Sequence, residues 1–456
     1  MPESTNAITY ARDHRERFLS ELKDLLAIPS ISTLSEHKPD MQRAAEWVTR
    51  QLRDLGFKNC AVLPTAGHPV AYGESLNAPG KPTVLVYGHY DVQPVDPLNE
   101  WTSPPFEATV RGDNLYARGA SDMKGQVIAV FKAIESLVRN EGLRVNLKVL
   151  IEGEEEIGSP NLGAFIAQNK EKLKCDIALN CDSGIARPNL PTIVYGLRGL
   201  AYFEIWVYGP SQDLHSGVFG GSVHNPAQAL CELIAGMHDA DGHITLPGFY
   251  DKVRVLTDDE RAEIARLPLS DEDWRATAKV PELWGKKGFT TLERLGALPT
   301  LEVNGLLSGF TGEGSKTVLP AKAMAKISCR LAAYQDDNEI EAQLNEYMRI
   351  NAPPTISWQV KKLVTTPPVL VNRDTIGARA ASRALEATFG IKPIFKLEGG
   401  SVPVVSTTKT VLGVDSIMLG FGLPDDNLHS PNEKFHLPNF YRGIATYIRF
   451  FDAVAE

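Results

Sequence analysis

Between residues 81 and 181 the chain alternates short apolar segments of β-forming residues with longer segments whose apolar residues have helical spacing. The first β-type segment is KPTVLVYGHYDV, and a helical pattern follows in DMKGQVIAVFKAIESLVRN, where apolar side chains recur every three or four residues. Two further β-type segments, VNLKVLI and CDIALNC, enclose the helical segment NLGAFIAQNKEKL. This alternation predicts an α/β domain with a largely parallel sheet.

The alternation is interrupted between residues 197 and 365. Apart from a polar stretch at about 240–295, which we expect to be helical, this region has the order β-α-β-β-α-β of a ferredoxin-like, split βαβ domain. The first pattern then returns with a helix that Gly390 closes and two more strands. We therefore expect one α/β domain, residues 1–196 and 366–456, with a second domain inserted into it.

Composition and charge exclude several classes of protein. The chain has 456 residues, 43% of them hydrophobic, and a net charge of −9 with scattered Lys and Arg, which does not favour nucleic-acid binding. We find no signal peptide and no apolar run of membrane-spanning length. The five cysteines form no C-x-x-C pair, so reduced thiols and a cytoplasmic location are expected.

Acidic and histidine side chains follow the predicted strands of the α/β domain. Ligands of open α/β sheets bind beyond the carboxyl ends of the strands. These positions, together with the start of one helix, hold two histidines and several carboxylates, namely His89, Asp91, Asp122, Glu152, Glu154, Glu155, Glu156, Asp182 and His429. Each of these residues alone is weak evidence for a site, because an acidic run is usually a solvated surface. All of them, however, are expected at one edge of one sheet.

Crowded carboxylates resist ionisation unless a cation compensates them, so this edge predicts bound divalent metal. Mixed histidine and carboxylate ligands suit zinc, with cobalt or manganese as substitutes. The groups exceed what one tetrahedral zinc needs, which indicates two ions about 3.5–4 Å apart. His89 and Asp91 are two residues apart on extended backbone, so the carboxylate can orient the imidazole.

At these residues the sequence resembles the co-catalytic zinc peptidases, a family that includes carnosinase, cytosolic non-specific dipeptidase, acetylornithine deacetylase, succinyl-diaminopimelate desuccinylase and glutamate carboxypeptidase. The resemblance covers nearly the whole chain and keeps the order of the family motifs. A segment of the inserted domain, GHITLPGFYDKV, is similar to the carnosinase and cytosolic dipeptidase branch. The matching motifs are GHYDVQP, ARGASDMKGQ, EGEEEIGS, CDS, YGLRG, LHSGVFGG, TVLPAKA, EGGSVP and HSPNEK.

The resemblance implies a role for each residue of the acidic edge. It assigns His89 and Asp182 to one metal ion, Glu156 and His429 to the other, and Asp122 to both. The peptide bond after the shared Asp, here Asp122–Met123, is cis in relatives. The general base would be Glu155, with Glu154 as the alternative because the run contains an extra glutamate, and Asp91 would orient His89.

The inserted domain would supply substrate-binding groups. By resemblance, His215 stabilises the oxyanion from the neighbouring subunit, which implies a homodimer formed through the inserted domain, acting as lid and dimerisation domain. Arg330 is suited to clamp the free carboxylate of a substrate, since guanidinium binds carboxylate bidentately. Thr317, Glu398 and Ser401 match positions that line the substrate site, and Glu398 would engage a free amino terminus.

The activity implied is hydrolysis of dipeptides by a water that bridges two metal ions, with a glutamate as general base. N-acyl amino acid deacylase and carboxypeptidase activities are alternatives, because the motifs near the metals are shared among these enzymes. A non-catalytic binding protein is disfavoured, since the base and every ligand are present. A two-metal phosphoesterase is disfavoured, because no phosphate-binding glycine loop or clustered Arg accompanies the ligands in this sequence.

Overall fold

The structure, a computed structural model, describes residues 5–456. The chain forms two compact units. The first contains Met1–Tyr195, Val371–Lys396 and Pro403–Glu456, and the second contains Gly196–Leu370 and Leu397–Val402. The first unit is therefore discontinuous in sequence, and the short segment 397–402 belongs to the second.

The first unit is built on a mixed β-sheet. Its four central strands are parallel and almost entirely buried, as expected of a sheet with helices on both faces. The flanking strands are antiparallel. In sheet order the strands are Lys58–Leu63, Val70–Ser75, Asn146–Glu152, Thr83–His89, Ile177–Asn180, Ser416–Met418 and Thr192–Leu197, and Ile394–Glu398 also pairs with the last of these.

Helices surround this sheet. Lys124–Asn140 is buried over most of its surface and packs against the long C-terminal helix, Leu437–Ala455. Ile376–Phe389 ends at Gly390, whose φ of 75° is the left-handed C-cap predicted from the sequence. The other helices are Thr5–Asp13, Arg15–Leu26, Lys38–Asp54, Leu162–Gln168, Lys170–Leu173 and Pro403–Thr407, with single turns at Ser35–His37, Leu98–Glu100, Glu155–Ile157 and Thr408–Leu412. A small sheet joins Thr109–Arg111, Asn114–Tyr116 and Lys434–His436.

The second unit contains a four-stranded antiparallel sheet with the order of a ferredoxin-like domain. In sheet order the strands are Thr300–Ser308, Lys322–Leu331, Gly199–Tyr208 and Ser357–Thr366, that is 2-3-1-4 in chain order. Alternate side chains of its central strands are buried against the helices Pro226–Ala235 and Asp337–Asn351. Short elements complete the unit: Leu214–His215, Ser216–Phe219, Val318–Leu319 and Val369–Leu370.

The polar stretch at 240–295 differs from the expectation of a helical segment. It is largely irregular and contains three short helices, Asp258–Ile264, Asp271–Ala278 and Thr291–Gly296. A capping box starts each helix, and none has an apolar face long enough to continue it. Among the described helices of the whole chain, none has the length and apolarity to cross a membrane.

Candidate metal centre

The carboxyl ends of the central strands bring the candidate ligands of the first unit together. His89 is the last residue of its strand, and Asp182 follows the end of a neighbouring strand by two residues. Asp122 stands just before the helix Lys124–Asn140, and its peptide bond to Met123 is cis, as the sequence resemblance implied. His429 lies in a loop with a φ of 60°, a backbone conformation that few non-glycine residues adopt outside constrained sites.

These side chains form two groups that share Asp122. His89, Asp122 and Asp182 make one group, and Asp122, Glu156 and His429 make the other, with ligand atoms in each group within 4.8 Å of one another. His89 Nε2 lies 3.1 Å from Asp122 Oδ1 and 3.9 Å from Asp182 Oδ2. His429 Nε2 lies 3.0 Å from Asp122 Oδ2 and 3.2 Å from Glu156 Oε2. The two oxygens of Asp122 therefore face different groups.

The orientation of His89 suits metal binding. Its Nδ1 is 3.0 Å from the carbonyl oxygen of Asp91 and 3.4 Å from Asp91 Oδ1, so a proton on Nδ1 donates toward Asp91. In that tautomer the lone pair of Nε2 points at the carboxylates of Asp122 and Asp182. A lone pair and two carboxylates that face one another need a cation between them, which is the usual arrangement of a metal-binding histidine.

Asp91 also holds the turn that carries the glutamates. Its side chain is fully buried, and its two oxygens accept hydrogen bonds from the backbone N–H groups of Glu155 and Glu156 at 3.3 and 3.0 Å. One carboxylate thus contacts both the ring of His89 and the backbone of two acidic residues. This arrangement fixes the ring of His89 and the backbone of the two glutamates relative to one another.

Adjacent glutamates in the run have different surroundings, which the sequence alone could not distinguish. Glu154 is buried away from the two groups, and its Oε1 accepts hydrogen bonds from His68 N and Asn161 Nδ2. Glu155 interacts electrostatically with His89 and with the carboxylates of both groups. Burial and these neighbouring carboxylates raise the pKa of Glu155 to about 8.

Hydrogen bonds within the two groups shift the pKa values of Asp122 and His429. Burial alone would raise the pKa of Asp122, but its contacts with His429 and His89 lower it well below the ordinary value. The pKa of His429 rises to about 10, because Asp122 and Glu156 accept hydrogen bonds from its protonated ring. Nitrogen and carboxylate donors in this number fit two divalent cations, which replace the protons that would otherwise hold these groups together.

Two further buried residues support the centre: Gln126, which we did not identify from the sequence, and Glu152, to which the sequence assigned no role. Gln126 Nε2 donates to the carbonyl oxygens of Ser121 and Ser183 at 3.2 and 2.9 Å, and its Oε1 accepts from Phe421 N at 2.7 Å. It thereby links the backbone next to Asp122 and Asp182. Glu152 accepts hydrogen bonds from Tyr87 and Ser159, and burial raises its pKa to about 7. Both lie within motifs of the resemblance, but their side-chain directions were not readable from it.

His215 and Thr317, two candidate residues of the second unit, lie close together. His215 ends a two-residue strand that pairs with Val318, and its exposed ring accepts a hydrogen bond from Gly217 N at 3.0 Å. The next residue, Ser216, donates its N–H to the carbonyl oxygen of Thr317 at 3.2 Å. This pair is exposed to solvent.

The remaining candidates form a second cluster of that unit. Arg330 Nη1 donates to Ser401 Oγ at 3.2 Å, and Ser401 Oγ donates to the carbonyl oxygen of Arg198 at 2.6 Å. Arg198 N in turn donates to the carbonyl oxygen of Glu398 at 3.1 Å. Burial and the charge of Arg330 lower the pKa of Arg198 to about 10. Within the described residues, no carboxylate lies at salt-bridge distance from Arg330 or Arg198, which leaves the cluster suited to an anionic group.

Comparison with known proteins identifies the family. The model of peptidase family M20/M25/M40 matches residues 85–453. The chain belongs to this family. It is 32% identical to the Cys-Gly metallodipeptidase dug1 of Schizosaccharomyces pombe, over 97% of this chain and 96% of the relative.

Two other M20 relatives are similarly close. The human Beta-Ala-His dipeptidase is 30% identical over 97% of this chain and 91% of its own. The crystal structure of an M20 family metallo-carboxypeptidase, Sso-CP2 from Sulfolobus solfataricus, superposes with a TM-score of 0.83 at 34% identity, over 96% of this chain and 99% of that one. These similarities confirm the resemblance and the mixed α/β fold inferred from the sequence.

Proposed function

We propose that this protein is a metallodipeptidase, a hydrolase that cleaves the peptide bond of dipeptides. The observation that carries the proposal is the pair of candidate ligand groups that share Asp122 and lie beside Glu155. M20 relatives that match over nearly their full length are named as dipeptidases for Cys-Gly and β-Ala-His, which supports small unblocked peptides as substrates.

The proposed ligands divide between two ions. His89 and Asp182 would hold one, Glu156 and His429 would hold the other, and Asp122, which belongs to both groups, would serve both ions. Zinc is the proposed metal, with manganese or cobalt as substitutes, because the donors are imidazole nitrogen and carboxylate oxygen. When bound, the ions supply Lewis acidity toward the scissile carbonyl and acidify water.

The protein's own side chains provide proton transfer and positioning. In the proposed mechanism Glu155 accepts a proton from the attacking water and delivers it to the departing amine nitrogen. Asp91 orients His89 and holds the turn of Glu155. His215 donates a hydrogen bond to the developing oxyanion.

Substrate binding is assigned to the second cluster and to Thr317. Arg330 binds the free carboxylate of the dipeptide, which its lack of a carboxylate partner in the described residues supports. Glu398 engages the free amino terminus, while Thr317 and Ser401 line the site. Ser401 also contacts Arg330 directly, so the two residues act on the same end of the substrate.

We further propose a cytoplasmic homodimer in which residues 197–365 form the lid and dimerisation domain and residues 1–196 and 366–456 form the catalytic domain. His215 of the partner subunit would complete each active site, consistent with the exposed position of this ring. The edge strand Thr300–Ser308 exposes Leu306 and Leu307 by 59% and 56%, an apolar edge suited to contact with a second copy. The five cysteines are free, which suits a reducing compartment.

The test is hydrolysis of Ala-Leu, Cys-Gly and β-Ala-His, each beside its N-acetylated form, with added zinc or manganese and after chelation. Metal-dependent cleavage of the free dipeptides alone is the expected result. Release of acetate from the acetylated compounds, with no cleavage of the free dipeptides, would instead indicate an N-acyl amino acid deacylase and would remove the proposed role of Glu398. No cleavage of either set by the metal-loaded protein would contradict the proposal.

A second candidate function is carboxypeptidase activity on short peptides, which the structural similarity to a metallo-carboxypeptidase favours. Both activities need a clamp for the free carboxylate, but only the dipeptidase needs the amino terminus nearby. The tripeptide Ala-Ala-Leu separates them. A dipeptidase leaves it intact, whereas a carboxypeptidase releases leucine at a rate comparable with that from Ala-Leu.

A further inference from the structure

Glu433, in the segment HSPNEK, has no role in the proposed mechanism, yet it is fully buried and saturated with hydrogen bonds. Its Oε2 accepts from Arg118 Nη1 at 2.8 Å and from Gly119 N at 2.9 Å. Its Oε1 accepts from Ser121 N at 2.9 Å and from Asp122 N at 3.0 Å. One carboxylate therefore binds four donors that all belong to residues 118–122.

These donors lie in the loop that ends at the shared ligand. The loop connects the strand Asn114–Tyr116 to the helix Lys124–Asn140, and the backbone of Glu433 also binds it, because Ala117 N donates to the carbonyl oxygen of Glu433 at 3.1 Å. A loop of this kind has no repeating backbone hydrogen bonds of its own. Its conformation therefore depends on the acceptors that surround it.

We propose that Glu433 is a positioning residue that fixes Asp122 in the geometry in which it serves both metal ions. This inference rests on the proposed function. It follows from two contacts: the backbone N–H of Asp122 is bound to Glu433, and the two oxygens of Asp122 face His89 and His429 separately. A shift of the Asp122 backbone consequently disturbs both groups together.

The segment of Glu433 strengthens this coupling, because it also carries a ligand. His429 precedes Glu433 by four residues, and Asp426, three residues before His429, accepts a hydrogen bond from Ser121 Oγ at 2.7 Å. The same stretch of chain thus supplies one candidate ligand and holds the loop of the shared one. Hydrogen-bonding partners behind metal ligands typically affect metal affinity 10- to 100-fold, and we expect Glu433 to act within about that range.

The substitution Glu433→Gln tests the inference with minimal change of shape. In either orientation the amide NH₂ replaces one oxygen, so it faces two N–H donors and leaves them without an acceptor. If the NH₂ occupies the position of Oε1, the unsatisfied donors are Ser121 N and Asp122 N; otherwise they are Arg118 and Gly119 N.

The measurement is the rate at which zinc leaves the loaded, full-length protein into a chromogenic chelator, well below the unfolding temperature. The matched control is Glu135→Gln, which alters another buried carboxylate of the first unit that is bonded to Lys132, not to the metal loop. We expect both zinc ions to leave Glu433→Gln about 10- to 100-fold faster than wild type, and to leave the control at the wild-type rate.

Two results would overturn the inference alone: wild-type release from Glu433→Gln, or equally fast release from the Glu135→Gln control, which would indicate general destabilisation. Wild-type protein that retains no zinc would contradict the proposed metal centre and the inference with it. If the variant does not fold, amide hydrogen exchange of the wild-type holoenzyme provides a second test. The amides of residues 119, 121 and 122 should exchange hydrogen as slowly as those of the helix Lys124–Asn140, and fast exchange there would overturn the inference.

Discussion

The candidate metal ligands of the first unit and the candidate substrate groups of the second are held in different ways. Side chains of the first unit such as His89 and Glu156 are 0% and 2% exposed, and Asp91 behind them accepts several hydrogen bonds from backbone and ring. In the second unit His215 and Thr317 are exposed. Folding of the chain thus buries most of the metal groups, with the side chain of His429 56% exposed at their margin, whereas His215 and Thr317 are accessible to a binding partner or ligand.

The largest expected effect tests whether the chemistry resides in the first unit. Glu155→Gln removes the proposed base, so kcat for a free dipeptide should fall about 10²- to 10⁴-fold. Because Glu155 is not a proposed ligand, zinc content should stay at the wild-type value. Steady-state kinetics and elemental analysis of the same preparation measure both quantities.

The adjacent residue provides the control for that substitution. Glu154→Gln changes a side chain bonded to His68 N and Asn161 Nδ2, so it should cost stability but change kcat of the folded protein less than about tenfold. If Glu154→Gln abolishes activity while Glu155→Gln retains it, the two glutamates have been assigned in the wrong order.

A smaller effect is expected from the substrate cluster of the second unit. Arg330→Lys replaces a planar guanidinium by a single ammonium and should raise KM about 10- to 100-fold, with a smaller change in kcat. Kinetics with a C-terminally amidated dipeptide supply the control, because wild type and variant should then differ little. A variant defect of equal size on both substrates would show that Arg330 does not bind the carboxylate.

The free energy of unfolding should depend on pH through Glu135, a residue with no proposed catalytic role. Burial raises the pKa of Glu135, but the hydrogen bond from Arg17 and the charge of Lys132 outweigh it and lower the pKa. A lowered pKa contributes stability above the unfolded value of about 4.3 and loses it as the pH falls through the folded value. Glu135→Gln should therefore lower the free energy of unfolding by about 1–3 kcal/mol at pH 7.

The pH dependence provides the check on that prediction. In chemical denaturation, the difference between wild type and Glu135→Gln should begin to shrink as the pH falls below the unfolded value of about 4.3. It should vanish only below the lowered pKa of the folded state, where both proteins carry a neutral side chain. A difference that stays constant from pH 7 to pH 3 would mean that packing, not charge, explains the effect.

The smallest expected effect concerns backbone conformation. Gly390→Ala introduces a Cβ with no heavy atom within 4 Å, so its cost comes only from the φ of 75° and should be about 1 kcal/mol. Gly163→Ala is the matched control, since this helical glycine has equally open space and no positive φ. It should stabilise by about 0.5–1 kcal/mol, as measured by thermal unfolding. Destabilisation of similar size at both sites would contradict the left-handed cap.

Much of the fold was predictable, because the spacing of apolar residues in many strands and helices matches the faces that are buried in the structure. The buried strand Thr83–His89 and the helix Lys124–Asn140 carry clear periodicities, and the β-α-β-β-α-β order gave the ferredoxin-like unit. The strand Val70–Ser75 was not identified, because its pairing with distant residues stabilises it more than local preference does. The helix Leu437–Ala455 was also missed, although its buried residues have helical spacing.

The composition of the acidic edge was predictable, but its internal arrangement was not. Strand ends indicated which residues converge, since parallel strands end at one edge of a sheet. Which of Glu154 and Glu155 faces the groups depends on the turn that Asp91 holds. The contacts of Gln126 and Glu433 join residues about 57 and more than 300 positions apart, which no local pattern contains.

We propose that two metal ions bound by the first unit are required for dipeptide hydrolysis. The most direct measurement strips the full-length protein with a chelator and follows hydrolysis of Ala-Leu as zinc is returned in known equivalents per chain. We predict no activity without metal and full activity on return of two equivalents. Undiminished hydrolysis in the stripped protein, or saturation at one equivalent with Asp122→Asn as active as wild type, would contradict the account.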